Sequence, residues 1–153
     1  MAKRYPEVKS FYPKNPHKYA GDVNNIKLRS SWEFKFAHYC DDNPSVIQWN
    51  SEDIIVPYWS SSDNKMRNYH LDFTMVVQEP DGTTKTWMVE IKPYSQTIKP
   101  VKTRGKKELT YLNELKTYQV NMDKWIHANQ YAKDRGWHFL VITENELYNG
   151  KPK

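Results

Sequence analysis

The stretch Tyr69-His-Leu-Asp72-Phe-Thr-Met-Val-Val-Gln-Glu-Pro80-Asp-Gly82-Thr-Thr-Lys-Thr-Trp-Met-Val-Glu90-Ile-Lys92 decides how this 153-residue chain is read. Pro80, Asp81 and Gly82 supply a three-residue hairpin loop, with proline at the first turn position and glycine at the left-handed third. Glu79 then faces Thr83, and the register that follows sets Asp72 opposite Glu90. Directly opposed residues in an antiparallel ladder project from one face, and Lys92, two residues beyond Glu90, shares it. The other face, Leu71, Phe73, Met75 and Val77 with Trp87, Val89 and Ile91, is continuously apolar, which anchors a strand of roughly residues 69–78 and its partner in a core.

Two adjacent carboxylates repel each other unless a cation lies between them, and oxygen ligands suit Mg2+ or Mn2+. Lys92 is left to meet an anion. Asp72, Glu90 and Lys92 thus read either as a site where a metal ion hydrolyses a phosphodiester or as a surface cross-strand charge cluster.

A single domain of this length can bury a real core, and six Trp, eleven Tyr and five Phe offset a hydrophobic content of 38%. The formal charge of +5 favours a polyanionic partner. Its distribution is more telling: residues 91–107 hold Lys92, Lys99, Lys102, Arg104, Lys106 and Lys107 without one acidic residue. Lys3, Arg4, Lys9, Lys14 and Lys18 stand near the N-terminus against Glu7 alone, interleaved with Tyr5, Phe11, Tyr12 and Tyr19. Basic segments either side of an acidic cluster suit a nucleic-acid groove.

Cys40 has no partner for an internal disulfide and reads as a small buried hydrophobe. No apolar run approaches the roughly 20 residues needed to span a bilayer, so a soluble, intracellular protein without membrane partners is expected. The five histidines and Cys40 lack zinc-ligand spacing. GxGxxG, Walker A and GxSxG motifs are absent, which excludes dinucleotide, nucleoside-triphosphatase and serine-hydrolase readings.

Residues 1–28, with Pro6, Pro13, Pro16 and Gly21, read as an extended basic arm, and residues 29–153 as the folded domain. Ser30 or Ser31 caps a helix running to about Asp41, with Glu33 placed for a capping box and also on the border of the buried face. Short strands follow at Val46–Trp49 and Ile54–Trp59. Leu109, Leu112, Leu115, Tyr118, Met122, Trp125, Asn129 and Ala132 mark one or two helices ending at Gly136, and Trp137–Thr143 is a final strand reached by a crossover. His70 shares the Asp72 face, Tyr118, Gln119 and Asn129 read as helix packing, and Glu144 with Glu146 as a solvated helix start.

The order Ser31-Trp-Glu33-Phe-Lys-Phe, Leu71-Asp72-Phe, Val89-Glu90-Ile-Lys92-Pro resembles the PD-(D/E)XK nuclease superfamily, and its TnsA-like branch most closely. The stretches from Tyr12 to Asn25, Arg29 to Phe36 and Trp137 to Leu147 are similar to the head completion protein family of T-even-type bacteriophages. Leu71 stands where the superfamily name has proline, a position that is not a ligand. The resemblance implies an α/β restriction-endonuclease-like mixed sheet flanked by helices. It also implies an Mg2+-dependent DNA endonuclease or exonuclease, with Mn2+ a substitute, acting at head-tail joining with DNA and phage head or neck proteins as partners. Its place would be the host cytoplasm during assembly, and then the virion. Carried over residue by residue, Asp72 and Glu90 would bind the metal, Glu33 would assist or ligate, and Lys92 would position water or stabilise the phosphate. Lys99, Lys102, Arg104, Lys106 and Lys107 would hold DNA. The rivals are a structural DNA-binding neck protein that needs no catalysis, and a transposase-type endonuclease subunit.

Overall fold

The computed structural model describes residues 4–149. Lys3 lies outside the described residues, as do the side chains of Arg4, Tyr5 and Glu7. The central sheet is mixed, in the order β3 (Val46–Ser51), β6 (Phe73–Gln78), β7 (Thr84–Ile91), β8 (His138–Ile142). The first three strands are antiparallel neighbours, and β8 lies parallel to β7. A parallel pair needs a long crossover, which α2 (Glu108–Asp134) supplies as one unbroken helix.

The β6–β7 hairpin has the expected register, pairing Phe73 with Val89 and Gln78 with Thr84. Glu79 N–H donates to Thr83 O at 2.7 Å, Gly82 N–H to Glu79 O at 2.9 Å, and Gly82 has φ +89°. Asp81 Oδ1 accepts from Thr83 N–H and Thr83 Oγ1, which ties the turn to the strand that follows.

Helix α1 (Ser31–Asp42) packs on one sheet face through Trp32, Phe36, Ala37 and Cys40, against Trp49, Phe73, Met75, Val89 and Ile91. Cys40 is fully buried, as its reading required, and burial pushes its thiol up. From residue 4 onward the N-terminal segment is tied to this layer. β1 (Arg4–Ser10) pairs with β2 (Lys27–Ser30), Phe11 and Tyr19 enter the core, and Lys18 Nζ donates to the carbonyls of Asp41 and Asn43 at the end of α1. A buried ammonium there satisfies carbonyls that have no partner within the helix.

The other face carries α2 together with a two-stranded ribbon, β4 (Ile55–Ser60) and β5 (Lys65–His70). This layer corrects the sequence reading. The expected strand at residues 69–78 is broken at Leu71–Asp72, and its first part pairs with β4 instead of β7. Leu71 N–H donates to Ile54 O instead of to β7, while the bond from Glu52 N–H to Asp72 O carries the β3–β6 pairing one residue further, so the β7 side of the ladder alone is interrupted. Tyr69 and Leu71 consequently pack with Val56, Tyr58, Met88, Ala128 and Ala132 on the α2 side, and the apolar face starts at Phe73 rather than Leu71.

The apolar stripe expected along α2 is also only half buried, since Leu109 (69% exposed), Leu112 and Asn129 face outward. Length explains the two leucines: 27 residues of helix span about 40 Å, whereas the eight-residue β7 spans roughly 27 Å. The N-terminal turns overhang the sheet, and burial begins at Asn121. Gln119 donates to Asp123, whose carboxylate also accepts from Ser61, so these residues pin the ribbon turn to the helix. Glu144 and Glu146 stand at the start of a helical turn, as expected, with Glu146 exposed; Glu144 also accepts from Tyr94 N–H, and Glu146 from Thr143 N–H and Oγ1.

Gly82 has open space where a Cβ would sit, so Gly82→Ala isolates the backbone cost of its positive φ. A loss of about 1–2 kcal/mol in urea unfolding, with the fold unchanged by circular dichroism, is the expected outcome.

Candidate active site

Asp72 lies just before β6 and Glu90 near the end of β7, on the α2 side of the sheet. Ile91 N–H donates to Asp72 Oδ2 at 2.8 Å, so the carboxylate replaces the ladder bond missing where the strand breaks. Glu90 is 4% exposed, and Asp72 is held against it. Burial raises the Asp72 carboxyl well above the usual carboxylate range, and the negative charges of Glu90 and Glu33 add to the effect against the opposing pull of Ile91 N–H and Lys92. With Glu90 buried, the group differs from the solvated surface cluster that the sequence left open.

Glu90 Oε1 accepts from the Tyr69 hydroxyl at 2.6 Å, and Glu90 Oε2 lies 3.3 Å from Lys92 Nζ. Lys124, on α2, sets its ammonium 5.4 Å from the centroid of the Tyr69 ring. Burial and the neighbouring Lys92 charge lower the Lys124 pKa, while Glu90 and Asp72 act in the opposite direction. Two lysines and two carboxylates thus share one poorly solvated region.

Glu33 reaches the same cavity from the first turn of α1. Its N–H donates to Ser30 Oγ at 3.2 Å, as expected of a cap. Its Oε1 accepts from Arg29 N–H at 2.9 Å, one residue earlier than the capping box predicts. Arg29 in turn pairs with Glu52 at 3.3 Å. The cavity, about 480 Å³, brings together the carboxylates of Glu33, Glu52, Asp72 and Glu90 with Arg29, His70 and Lys92.

The basic connection between β7 and α2 begins at Lys92. Lys99, Lys102, Arg104 and Lys107 are exposed along it. Lys106 differs, because its ammonium bonds Val101 O at 2.8 Å and Glu114 Oε1 at 2.7 Å and so holds the loop to α2.

Tyr69, Lys124, Glu52 and Arg29 were not singled out from sequence. A continuous strand would have turned Tyr69 away from Glu90, since alternate residues point to opposite faces. Only the break at Leu71–Asp72 reverses it. No local pattern marks Lys124 among the lysines of α2. The Arg29 and Glu52 signal was weak too: an arginine four residues before Glu33 and an acidic residue in a strand connection.

A family model, TnsA-like endonuclease N terminal, matches residues 43–144. The chain belongs to the TnsA-like endonuclease family. The match includes Asp72, Glu90 and Lys92, while Glu33 precedes it. The chain is also 39% identical over 140 residues, 88% of this chain and 89% of the other, to the head completion nuclease of Enterobacteria phage T4. No solved structure gives a significant match. The mixed sheet between helical layers is the restriction-endonuclease-like architecture expected of a TnsA-like domain. Among the described residues, no helix is long and apolar enough to cross a membrane.

The donors suit a hard divalent cation, because Asp72 is a carboxylate that burial and Glu90 make unfavourable as an anion without a counter-charge. Among the described residues, no three His, Cys, Asp or Glu side chains form a ready-made metal cluster. Asp72 is turned to Ile91 N–H, Glu90 is divided between Tyr69 and Lys92, and Glu33 holds Arg29 N–H.

Asp72→Asn keeps an acceptor for Ile91 N–H but cannot ionise. Because the folded Asp72 pKa is raised, the native protein retains a proton that the unfolded chain loses near pH 3.9, and wild-type stability falls as pH rises through that interval. In EDTA the variant is therefore expected to match wild type below about pH 4 and to be the more stable of the two, with the higher Tm, at pH 7. Thermal melts across pH check this.

Proposed function

We propose that this member of the TnsA-like endonuclease family is a metal-dependent deoxyribonuclease that uses Mg2+, or Mn2+ in its place, to hydrolyse DNA phosphodiesters during phage head completion. The observation that carries the reading is Asp72 beside the buried Glu90, with Lys92 against it, in a polar cavity next to a run of exposed cations. Asp72 and Glu90 are the residues that would hold the metal, with Glu33 contributing its charge from α1. A divalent cation there would lower the pKa of a bound water and neutralise charge building on the phosphate.

The protein groups act around that centre. Lys92 is a compact ammonium held within reach of Glu90, suited to orienting water and to meeting the charge of a pentacovalent phosphorus. Arg29 and His70, on the cavity wall, can contact phosphate oxygens flanking the scissile one. Lys99, Lys102, Arg104 and Lys107 would hold the DNA backbone without reading its sequence, since phosphate contacts position rather than specify. Head or neck proteins of the particle are the proposed protein partners, met in the host cytoplasm during assembly.

Plasmid and linear DNA incubated with Mg2+, Mn2+, Ca2+ or EDTA, beside Glu90→Ala, test the reading. Cleavage by wild type with Mg2+ or Mn2+, absent in EDTA and in Glu90→Ala, is expected. Wild-type protein inert on both substrates in every metal would favour a structural DNA-binding role.

Lys92→Ala should lower turnover by about 10²-fold or more while leaving DNA affinity in Ca2+ little changed. Neutralising Lys99, Lys102, Arg104 and Lys107 together should weaken DNA binding, and flatten the log-log salt slope by about 0.9 for each duplex phosphate the protein ceases to neutralise. Filter binding across a salt series measures both; an unchanged slope would assign the loop to a protein interface.

Glu33→Gln keeps an oxygen for Arg29 N–H and so preserves the cap. Strongly reduced cleavage, partly restored by raised Mn2+, is expected. Wild-type rates across a metal titration would confine Glu33 to its capping role.

A further inference from the structure

The two oxygens of Glu90 are held very differently. Oε1 takes the Tyr69 hydroxyl at 2.6 Å in a buried setting, a short charge-assisted bond. Oε2 meets Lys92 Nζ at 3.3 Å, and Lys92 is the more accessible partner. Tyr69 itself is 3% exposed and packs with Val56, Leu71 and Met88, while Lys124 lies over its ring. The hydroxyl has no room to swing away. Lys92, on a flexible stem at the cavity, does.

We propose that Tyr69 is a positioning residue that leaves Glu90 one oxygen for a metal ion, and thereby sets the preference of the site for Mg2+ over Ca2+. The inference rests on the metal-dependent reading above. Mg2+ requires near-octahedral geometry, whereas Ca2+ accepts six to eight oxygens and readily takes both from one carboxylate. A Glu90 with Oε1 committed to Tyr69 suits the first ion and handicaps the second. A Glu90 released from Tyr69 could turn both oxygens into the cavity, and would lose the orientation that a partner behind a ligand provides.

Tyr69→Phe keeps the ring, its packing and its contact with Lys124, and removes only the hydroxyl. The full-length protein, without DNA, is melted across MgCl2 and CaCl2 titrations, and apparent affinities follow from the ligand-dependent rise in Tm. In the variant, Mg2+ affinity is expected to fall by about 10-fold or more while Ca2+ affinity holds or improves. A drop in the Mg2+-to-Ca2+ affinity ratio of about threefold or more supports the assignment. A smaller change overturns it, whether both ions are unaffected or both are weakened alike.

Should Tyr69→Phe not fold by circular dichroism, Tyr69→Leu, which leaves space for a water at Oε1, carries the same measurement. Failure of both to fold assigns the hydroxyl to stability alone. Wild-type protein stabilised by neither ion would overturn this inference together with the metal-dependent reading. Mg2+-dependent DNA cleavage by wild type, alongside an unchanged ion ratio in the variant, would overturn this inference only.

Discussion

The hydrogen bond from Ile91 N–H to Asp72 Oδ2 is the constraint on which the site depends. Where the β6 ladder ends, a main-chain donor on β7 would be left without its strand partner in a poorly solvated place. The aspartate side chain satisfies it, and this costs the neighbouring residues their place in the sheet. Buried main-chain donors are rarely left orphaned, so a residue able to act as a surrogate acceptor is required there. Fixing Asp72 this way also places its charge beside Glu90, and the same contact that completes the sheet creates the repulsion a cation could relieve.

From that point the chain is redistributed between the two helical layers. Phe73, Met75 and Val89 serve the α1 core, while Tyr69, Leu71 and Met88 serve the α2 core. Glu90 shares the α2 side with Met88, which explains how an acidic residue comes to be 4% exposed in a strand whose preceding residues are apolar. Its burial is tolerable because both oxygens have partners. The site is therefore part of the core rather than an addition to its surface.

Each element around the cavity combines support with chemistry. Glu33 fixes the start of α1 through Arg29 N–H while facing the two carboxylates, and Arg29 is tied to Glu52. Glu52, with φ +53°, also donates its N–H to Asp72 O. The β3–β4 connection thereby joins the first turn of α1 to the strand break. The basic loop is kept close by Lys106, which anchors it to α2 through Glu114 and leaves its other cations exposed.

The hairpin, its register, the order of helices and the crossover to β8 could all be read from the residues alone. These depend on local turn chemistry and on periods of two or 3.6 residues, which short stretches express fully. The α/β class, the nearness of Asp72 to Glu90 and the Ser30 cap of α1 were legible for the same reason. The break at Leu71–Asp72 was not, because the competing acceptor for Leu71 N–H is Ile54 O, distant in the chain and without a local signature. That break alone turns Tyr69 toward Glu90 and moves Leu71 between cores. The exposure of Leu109 and Leu112 likewise depended on where the sheet ends beneath α2, a comparison of lengths that periodicity does not contain. Tertiary structure decided these features because each is a competition between long-range partners for one hydrogen bond or one apolar surface.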